Sequence, residues 1–459
     1  MTVVINENQQ GSACNCSGRP LNVLFAMFQG GGNIALIMPI VAAAVQRGHT
    51  VRVLAGPGVW PSRTPVSALF RERIRLAGAT SISFAEPATH PLDALPHPKG
   101  FLFGGTPRPL ARMTWHVSPY RWAEPWALNV AAELRREPAD VVVADFLLPG
   151  ALVAAEAFRV PSLSLVHGIY KHRPAQGLPP YGTGFGLGHG LFGSLRDALW
   201  SASIQRVYSR DALPALNRTR SAFALPRLRS MYDQFDRAAR VLVLTDRAFD
   251  FSARALPPNV RYVGTPIDDA GAAGWHSPWP EADRRSLIVV SLSTLQQGQG
   301  PLLQRILASL ADMPIKALVT LGPALQADQF RAPPNARLVQ FVPHSTVLPH
   351  AAALITQCGI GGVIKALRHA VPLVCIPLVG DQPDNAARVV ARGAGVRLGR
   401  DASTAQIRRA VQQVLCQPRF REAALRLAAE LGRGDPAETA VSELESAGHR
   451  LTVLPRSDL

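Results

Sequence analysis

The sequence predicts an α/β protein built from two Rossmann-like domains that face each other across a cleft. Three observations lead to this fold class. The 459 residues exceed a single domain of about 100–200 residues. The chain opens with a strand, a glycine-rich loop, a helix and a second strand, an order typical of a parallel, doubly wound sheet. The same kind of pattern begins again after residue 285.

The first domain is predicted over residues 21–255, after a disordered polar tail over residues 1–20. Its opening reads LNVLFAM for a buried strand, FQGGGN for the loop, IALIMPIVAAAVQRGH for the helix and TVRVLAG for the next strand. Further on, ADVVVADF and PSLSLVHG predict strands on either side of a helix, and AARVLVLTD predicts another. Residues 168–200 are dense in glycine and proline, which favours a mobile loop near a ligand site.

The second domain is predicted over residues 286–430, after a Pro-, Gly- and Asp-rich linker over 256–285. SLIVVSLST, IKALVTLG, AALITQCGIGG and PLVCIPL predict the strands of a second sheet, with helices between them. Residues 431–459 are predicted to form a C-terminal helical tail. Ligands of such sheets bind at the carboxyl ends of the strands, so the two domains predict a binding cleft between them.

The composition excludes several classes of function. With 47% hydrophobic and 17% charged residues, the chain can bury large cores and is not disordered as a whole. The net charge of +16 comes mainly from arginines spread along the chain, since only four of the 48 basic residues are lysines. A nucleic-acid-binding face would concentrate its basic residues. The excess positive charge favours a phosphorylated ligand or an anionic surface.

The cysteines and the N-terminus predict a cytoplasmic protein. Five cysteines in irregular spacing, at positions 14, 16, 358, 375 and 416, favour reduced thiols over a disulfide framework or a zinc site. The N-terminus lacks the basic and apolar regions of a signal peptide. No run of about 18 apolar residues predicts a membrane span. No cluster of metal-ligating residues is visible, so no metal is expected, and no other cofactor is predicted.

A glycine-rich turn at residues 358–362 (CGIGG) follows one predicted strand and opens a helix. Backbone N–H groups at a helix N-terminus bind phosphate, and glycine lets a ligand approach the backbone closely. Such a turn can also serve the strand-to-helix geometry alone, so its spacing leaves both interpretations open.

The sequence around this turn, FVPHSTVLPHAAALITQCGIGGVIKALRHAVPLVCIPLVGDQPDNAARVVARGAGVRL, resembles the donor-binding signature of nucleotide-sugar-dependent glycosyltransferases of the GT-B architecture. The resemblance is to the UDP-glycosyltransferase-like group that acts on antibiotics and other natural products, and it covers most of residues 21–445. It implies an inverting enzyme that moves a sugar from a UDP- or dTDP-sugar in the C-terminal domain. The implied acceptor is an apolar small molecule in the N-terminal domain.

The resemblance also implies donor-binding residues, with departures from the family pattern. Gln357 stands where the family has a phosphate-contacting histidine, Gly362 replaces a hydroxyl residue, and Lys365 replaces a ribose-binding glutamate. An amide can still donate an N–H group, whereas a lysine cannot accept ribose hydroxyls as a carboxylate does. The positions that match the family are Ser293 and Thr294 near the phosphates, Gly359 and Gly361 in the turn, Asp381 and Gln382 for the sugar hydroxyls, and Asn385. Asp381 and Gln382 can also simply cap the helix that follows.

The position of the family's catalytic histidine holds Asn33. An amide is no base near neutral pH, so Asn33 can only position a group by hydrogen bonding. Asp145 matches the aspartate that orients the family histidine, and His167 ends the next predicted strand, so the proton is expected to go to one of these two. His116 is a weaker candidate. Asp145 as a loop cap and His167 as a structural histidine are the alternatives.

The loss of both family histidines leaves a second hypothesis open. A repurposed GT-B-fold protein without sugar transfer would dehydrate or cyclise a hydrophobic metabolite, or would bind it without catalysis. Nucleotide binding discriminates between the two hypotheses. Trp115, Trp122 and Trp126, at near-helical spacing, favour core positions over an acceptor platform. The sequence does not indicate an oligomeric state.

Overall fold

A computed structural model of the chain describes residues 19–30, 32–57, 66–86, 120–171, 174–175, 177–268, 275–292, 297–431 and 433–450. They form two parallel sheets, each with its own covering helices. The two-domain α/β architecture predicted from the sequence is therefore confirmed.

The first sheet has seven strands in the order β3-β2-β1-β4-β5-β6-β7, and all of its pairs are parallel. The strands are β1 (Asn22–Phe28), β2 (Thr50–Gly56), β3 (Thr80–Ser83), β4 (Val141–Asp145), β5 (Ser162–His167), β6 (Arg240–Leu244) and β7 (Val260–Tyr262). The segment predicted as a linker thus contributes the edge strand β7. The order reverses between β1 and β4, and a ligand crevice forms at such a switch point.

The helices of the first domain alternate with these strands, as short parallel connections require. They are α1 (Ile34–Gln46), α2 (Ala68–Leu76), α3 (Ala123–Arg136), α4 (Pro149–Ala157), α5 (Gly190–Ala222) and the single turn α6 (Asp233–Asp236). Residues 177–189, which were predicted as part of a ligand-site loop, are irregular, but from residue 190 the chain enters the long helix α5.

Strand β1 shows how the sequence builds the layers. Its odd-numbered residues Val23 and Phe25 enter a core that contains α1, and its even-numbered residues Leu24 and Ala26 enter another core that contains α3 and α4. A strand covered on both faces must be apolar on both faces, which explains the near-continuous run LNVLFAM. Trp122 and Trp126 are buried in the second of these cores, as predicted, and Trp115 lies outside the described residues.

The second sheet has six parallel strands in the order β10-β9-β8-β11-β12-β13, with its switch point between β8 and β11. The strands are β8 (Ser286–Ser291), β9 (Ile315–Thr320), β10 (Ala336–Val339), β11 (Ala351–Thr356), β12 (Leu373–Cys375) and β13 (Gly395–Arg397). Its helices are α7 (Gly300–Leu310), α8 (His344–Val347), α9 (Ile360–Arg368), α10 (Gln382–Ala391), α11 (Thr404–Cys416) and α12 (Pro418–Glu430).

The last described helix, α13 (Pro436–Arg450), crosses back and packs on the first domain beside α1. Arg47 pairs with Glu438 at 2.6 Å and with Glu445 at 2.7 Å, and Arg240 pairs with Glu443 at 2.6 Å. The predicted helical tail therefore belongs structurally to the N-terminal domain. Over the described parts of the chain, no helix is long and apolar enough to cross a membrane.

Candidate active site

Three predicted acceptor-side residues meet at the carboxyl edge of the first sheet. Asn33 follows β1, Asp145 ends β4 and His167 ends β5. Since β4 pairs with both β1 and β5, the strand order alone brings the three side chains to one point. Asp145 is fully buried and Asn33 is 5% exposed, whereas the His167 side chain retains 13% exposure.

The Asp145 carboxylate is the centre of this cluster. Its Oδ2 atom lies 2.7 Å from His167 Nε2 and accepts a hydrogen bond of 3.0 Å from Asn33 Nδ2. Its Oδ1 atom accepts a 2.9 Å bond from the backbone N–H of Leu147. Both oxygens of this buried carboxylate are therefore engaged inside the protein, and the imidazole is the member of the pair that reaches the surface of the cleft.

Asn33 has a fixed orientation. Its Nδ2 atom donates to Asp145 and also to the backbone carbonyl of Phe28, at 3.1 Å. Because both partners only accept hydrogen bonds, the amide nitrogen must face them. The Asn33 Oδ1 atom is buried and has no hydrogen-bond partner within the described residues, and a buried acceptor without a partner is costly. Asn33 thus supports the carboxylate and presents one unused acceptor.

The donor turn (residues 357–362) lies at the corresponding edge of the second sheet, after β11. Gly359 is the N-cap of α9. A Cβ atom built on Gly361 would meet nothing within 4 Å, and one on Gly362 would meet only Thr356 Oγ1 at 4.0 Å. The backbone at the N-terminus of α9 is therefore open to a ligand, as phosphate binding requires.

The donor turn is held by a strained residue. Cys358 is buried with φ at 70°, a conformation that costs a non-glycine residue roughly 1–3 kcal/mol. Its N–H group donates to Thr356 Oγ1 at 3.2 Å, and its carbonyl accepts from Asn385 Nδ2 at 2.9 Å. Asn385 therefore supports the turn from α10. Gln357 Oε1 accepts from the Thr356 hydroxyl at 3.2 Å, which leaves its amide N–H groups available.

The predicted sugar-binding pair divides into two different environments. Gln382 is 5% exposed, and its Oε1 atom accepts the N–H groups of Leu378 and Val379, both at 2.9 Å. Its Nε2 atom donates to Gln297 Oε1 at 3.1 Å. Asp381 is half-buried, and its Oδ2 atom accepts from Asn385 at 3.0 Å. Asp381 is thus the more accessible member, and Gln382 anchors the loop before α10.

Lys365 belongs to α9, and His344 begins α8, which packs against α9. Lys365 Nζ donates to the backbone carbonyl of Asp268 at 3.4 Å. Burial, helped by the charge of Lys365, lowers the pKa of His344 to about 4. The His344 imidazole is therefore neutral near pH 7, and it hydrogen-bonds Thr320 at 3.3 Å. The remaining predicted residues Ser293, Thr294 and His116 lie outside the described residues.

The two halves of the site are in contact. A Cβ atom built on Gly168, the residue after His167, would come within 3.3 Å of Ile360, the first residue of α9. A second contact joins the domains. Asp250 of the first domain pairs with Arg388 of α10 at 2.6 Å, and both side chains are buried. The Asp250 carboxylate also accepts the N–H of Tyr170 and the hydroxyl of Tyr262, each at 2.8 Å. The backbone that directly follows His167 thus lies against the first residue of α9.

Three polar residues of this cleft were not predicted as site residues. They are Lys171, Asp384 and Arg388. Asp384 accepts backbone N–H groups of Gly182 at 2.7 Å and Gly184 at 2.9 Å from the opposite domain. Burial raises the pKa of Asp384 to about 6, against the influence of Arg388. The run Asp-Gln-Pro-Asp and the rarity of lysine were the available sequence signals.

Two Rossmann-like domains that meet at the carboxyl ends of their parallel sheets define a GT-B-type fold. Solved structures agree with the fold. The calicheamicin glycosyltransferase CalG4 superposes with a TM-score of 0.71 at 23% identity, covering 95% of this chain and all of that one.

Similar sequences identify the family as well as the fold. The family model described as the C-terminal domain of erythromycin biosynthesis protein CIII-like proteins matches residues 304–446. The 4'-demethylrebeccamycin synthase of Lentzea aerocolonigenes is 31% identical over 444 residues, which are 92% of this chain and 98% of that protein. The zeaxanthin glucosyltransferase of Pseudescherichia vulneris is 29% identical, over 62% of this chain and 68% of its own length. The chain belongs to the UDP-glycosyltransferase-like family of natural-product glycosyltransferases.

The comparisons confirm the main functional prediction, an enzyme that transfers a sugar from a nucleotide sugar, over the repurposed-fold hypothesis. The roles of individual residues stay predictions.

Proposed function

We propose that the enzyme transfers a sugar from a UDP- or dTDP-sugar to an O–H or N–H group of an apolar small molecule, with His167 as the general base. The observation that carries this proposal is the His167–Asp145 pair at the carboxyl edge of the first sheet. Hydrogen bonds of the pair and of Asn33 replace the arrangement that the family builds around a histidine at position 33.

The tautomer of His167 follows from its partner. A carboxylate only accepts hydrogen bonds, so Nε2 carries the proton that it shares with Asp145. The lone pair is then on Nδ1, for which the described residues provide no hydrogen-bond partner. A histidine held in one tautomer by a carboxylate is suited to remove a proton near neutral pH. Asp145 itself has both oxygens occupied, which favours His167 over Asp145 as the base.

Asn33 receives the acceptor in this proposal. Its buried Oδ1 atom has no partner and can accept a hydrogen bond from the attacking O–H or N–H group, or from a neighbouring group of the acceptor. That bond would compensate the cost of the unpartnered oxygen. Asn33 would then orient the nucleophile, and His167 would take its proton.

The donor is proposed to bind the C-terminal domain. The open backbone at Gly361 and Gly362 lies at the positive end of the α9 dipole, where a diphosphate is stabilised. Gln357 can add an amide N–H to a phosphate oxygen, and the half-buried Asp381 can accept sugar hydroxyls. In this proposal the nucleotide sugar is a co-substrate and no separate cofactor takes part.

The reaction is a single displacement. The acceptor oxygen or nitrogen attacks the anomeric carbon while its proton passes to His167 Nδ1. The bond from the anomeric carbon to the phosphate oxygen breaks, and the nucleoside diphosphate leaves with the electron pair. The N-terminus of α9 stabilises the charge that develops on this leaving group. Attack opposite the leaving group inverts the configuration.

We also propose a cytoplasmic enzyme. The three described cysteines, Cys358, Cys375 and Cys416, are unpaired, and free thiols are typical of reducing compartments.

The test is acceptor-dependent release of nucleoside diphosphate. The full-length protein is incubated with UDP- and dTDP-sugars and with a panel of apolar polycyclic or polyketide acceptors bearing hydroxyl or N–H groups. Glycosylated product and free UDP or dTDP should form in equal amounts, and the His167→Gln variant should form neither at a comparable rate. If neither nucleotide binds, as judged by thermal shift, sugar transfer by this site is excluded.

A further inference from the structure

Lys171 lies in the cleft four residues after His167, and it has no role in the proposed displacement reaction. It is one of only four lysines in the chain. Its Nζ atom donates a 2.8 Å hydrogen bond to the backbone carbonyl of His167. The ammonium also lies over the Phe146 ring, 4.1 Å from its centroid, and 5.3 Å from the centroid of Tyr181. Lys171 therefore contacts three separate segments of the first domain.

The contacts on one side of Lys171 lead to the base. The Phe146 ring meets the His167 imidazole edge-on, with centroids 5.0 Å apart and an interplanar angle of 77°. Phe146 also directly follows Asp145, the partner of the imidazole. The ammonium thus binds the backbone carbonyl of His167 and also the Phe146 ring, against which the imidazole packs.

The contacts on the other side of Lys171 connect it to the C-terminal domain, which is the proposed donor domain. Tyr181 begins an irregular segment (residues 181–184, the interdomain segment) whose backbone is bound by the opposite domain. Asp384 accepts the N–H groups of Gly182 and Gly184, and Arg397 donates to the Gly184 carbonyl at 2.6 Å. A Cβ atom on Gly184 would come within 2.6 Å of Pro383, so the interdomain segment packs closely against the C-terminal domain.

The charges around Lys171 come from both domains. Burial lowers the pKa of Lys171, and the carboxylates of Asp381, Asp145 and Asp384 oppose this effect. Two of these carboxylates belong to α10 or the loop before it, and the third belongs to β4. The ammonium is therefore placed among the acidic groups of the acceptor side and of the donor side at once.

We propose that Lys171 is a positioning residue for His167, and that it couples the seating of the interdomain segment on the donor domain to the orientation of the imidazole. The inference rests on the proposed role of His167 as base. When the two domains are in contact, Tyr181 and Phe146 enclose the ammonium, and the His167 backbone and ring are fixed together. When the segment leaves Asp384, Tyr181 leaves the ammonium and the base loses part of its support.

The experiment is a double-mutant cycle on single-turnover sugar transfer. Lys171→Met removes the charge and the donor but keeps the stem, and should lower the rate by about 10- to 100-fold, the range expected when a catalytic group is misplaced. Lys171→Arg should recover part of the rate. Binding of UDP or dTDP alone should remain unchanged in both variants, because Lys171 does not belong to the nucleotide site.

The cycle distinguishes positioning from an independent effect. In a His167→Gln background, Lys171→Met should cost less than about threefold, because a residue that acts through another has nothing left to position. Phe146→Leu removes the ring between Lys171 and His167 without changing Lys171. It should lower the transfer rate of the wild type, and it should also cost little in the His167→Gln background. Melting temperatures of all variants show whether each of them is folded.

Two different results would overturn the proposal, and they show whether Lys171 alone or also His167 has been assigned a wrong role. If His167→Gln lowers transfer strongly but Lys171→Met has no effect, or has its full effect in both backgrounds, only the role of Lys171 is wrong. If His167→Gln transfers at the wild-type rate, the proposed base is wrong and the role of Lys171 is wrong with it.

Discussion

Replacing Asp384 by asparagine should change how the stability of the protein depends on pH. The pKa of this buried carboxyl is raised from its ordinary 3.8 to about 6, chiefly by burial. A group whose pKa is higher in the folded state favours folding when it is protonated. Its stabilising contribution is therefore complete below about pH 4 and is lost as the pH rises through about 6.

The magnitude follows from the shift. Roughly two pKa units at 1.36 kcal/mol each correspond to about 3 kcal/mol over the whole titration, of which about 2 kcal/mol falls between pH 4.5 and 8. Asparagine does not titrate, so the free energy of unfolding of Asp384→Asn, minus that of the wild type, should rise by about this amount over that range. A constant offset from the altered bonds to Gly182 and Gly184 does not affect the slope.

The assay is urea unfolding of both proteins at a series of pH values. Asp401→Asn is a matched control in the same domain, because the Asp401 side chain is 84% exposed. That control should give a difference from wild type that changes little over the same range. If the Asp384→Asn difference were equally flat, burial would not raise the pKa of Asp384 in the folded protein, and the reasoning from burial would be refuted.

Three further predictions concern the two halves of the site. Gly361→Asp should abolish the thermal shift given by saturating UDP or dTDP, whereas Gly361→Ala should keep it, because a Cβ atom there meets no neighbour; loss in both variants would indicate a structural turn. Asp381→Ala should lower turnover while leaving nucleotide binding nearly intact, and equal loss of both would indicate a structural cap. Asn33→His should change initial transfer rates only modestly, since His167 already occupies Asp145; a large gain would contradict His167 as the working base.

The strand ends of the site could be predicted from the sequence, because a parallel sheet places all its carboxyl ends at one edge. Asp145 and His167 each follow an apolar run that is long enough for a buried strand, and Asn33 follows the first glycine-rich loop. Their contact required the strand order as well. Sequence alone does not show that β4 lies between β1 and β5, since that order depends on pairings between distant segments.

The contacts between domains could not be predicted. Asp384 binds the N–H groups of Gly182 and Gly184, about 200 positions away along the chain, and Asp250 binds Arg388 across 138 positions. Such partners are set by how two folded surfaces meet, for which hydrophobic periodicity carries no signal. The return of α13 to the first domain has the same cause, because its partners Arg47 and Arg240 are remote in sequence.

For the predicted sugar-binding pair, the sequence predicted where the two residues lie better than what each side chain does. The sequence places Asp381 and Gln382 together at the start of a helix. Only the structure separates them, by giving the Gln382 amide oxygen to two backbone N–H groups and leaving Asp381 half-buried. A side chain's direction at a helix start depends on its rotamer and its neighbours, which the order of residues does not fix.

In the proposed reaction, His167, oriented by Asp145, removes the proton of the acceptor. The most direct measurement is the single-turnover transfer rate of His167→Ala, with and without added imidazole. The rate should fall by about 10²- to 10⁴-fold, the usual contribution of a general base, and should recover in part as the imidazole concentration rises, since the vacated space beside Asp145 admits a free base. A variant that transfers sugar at the wild-type rate without imidazole would contradict the claim.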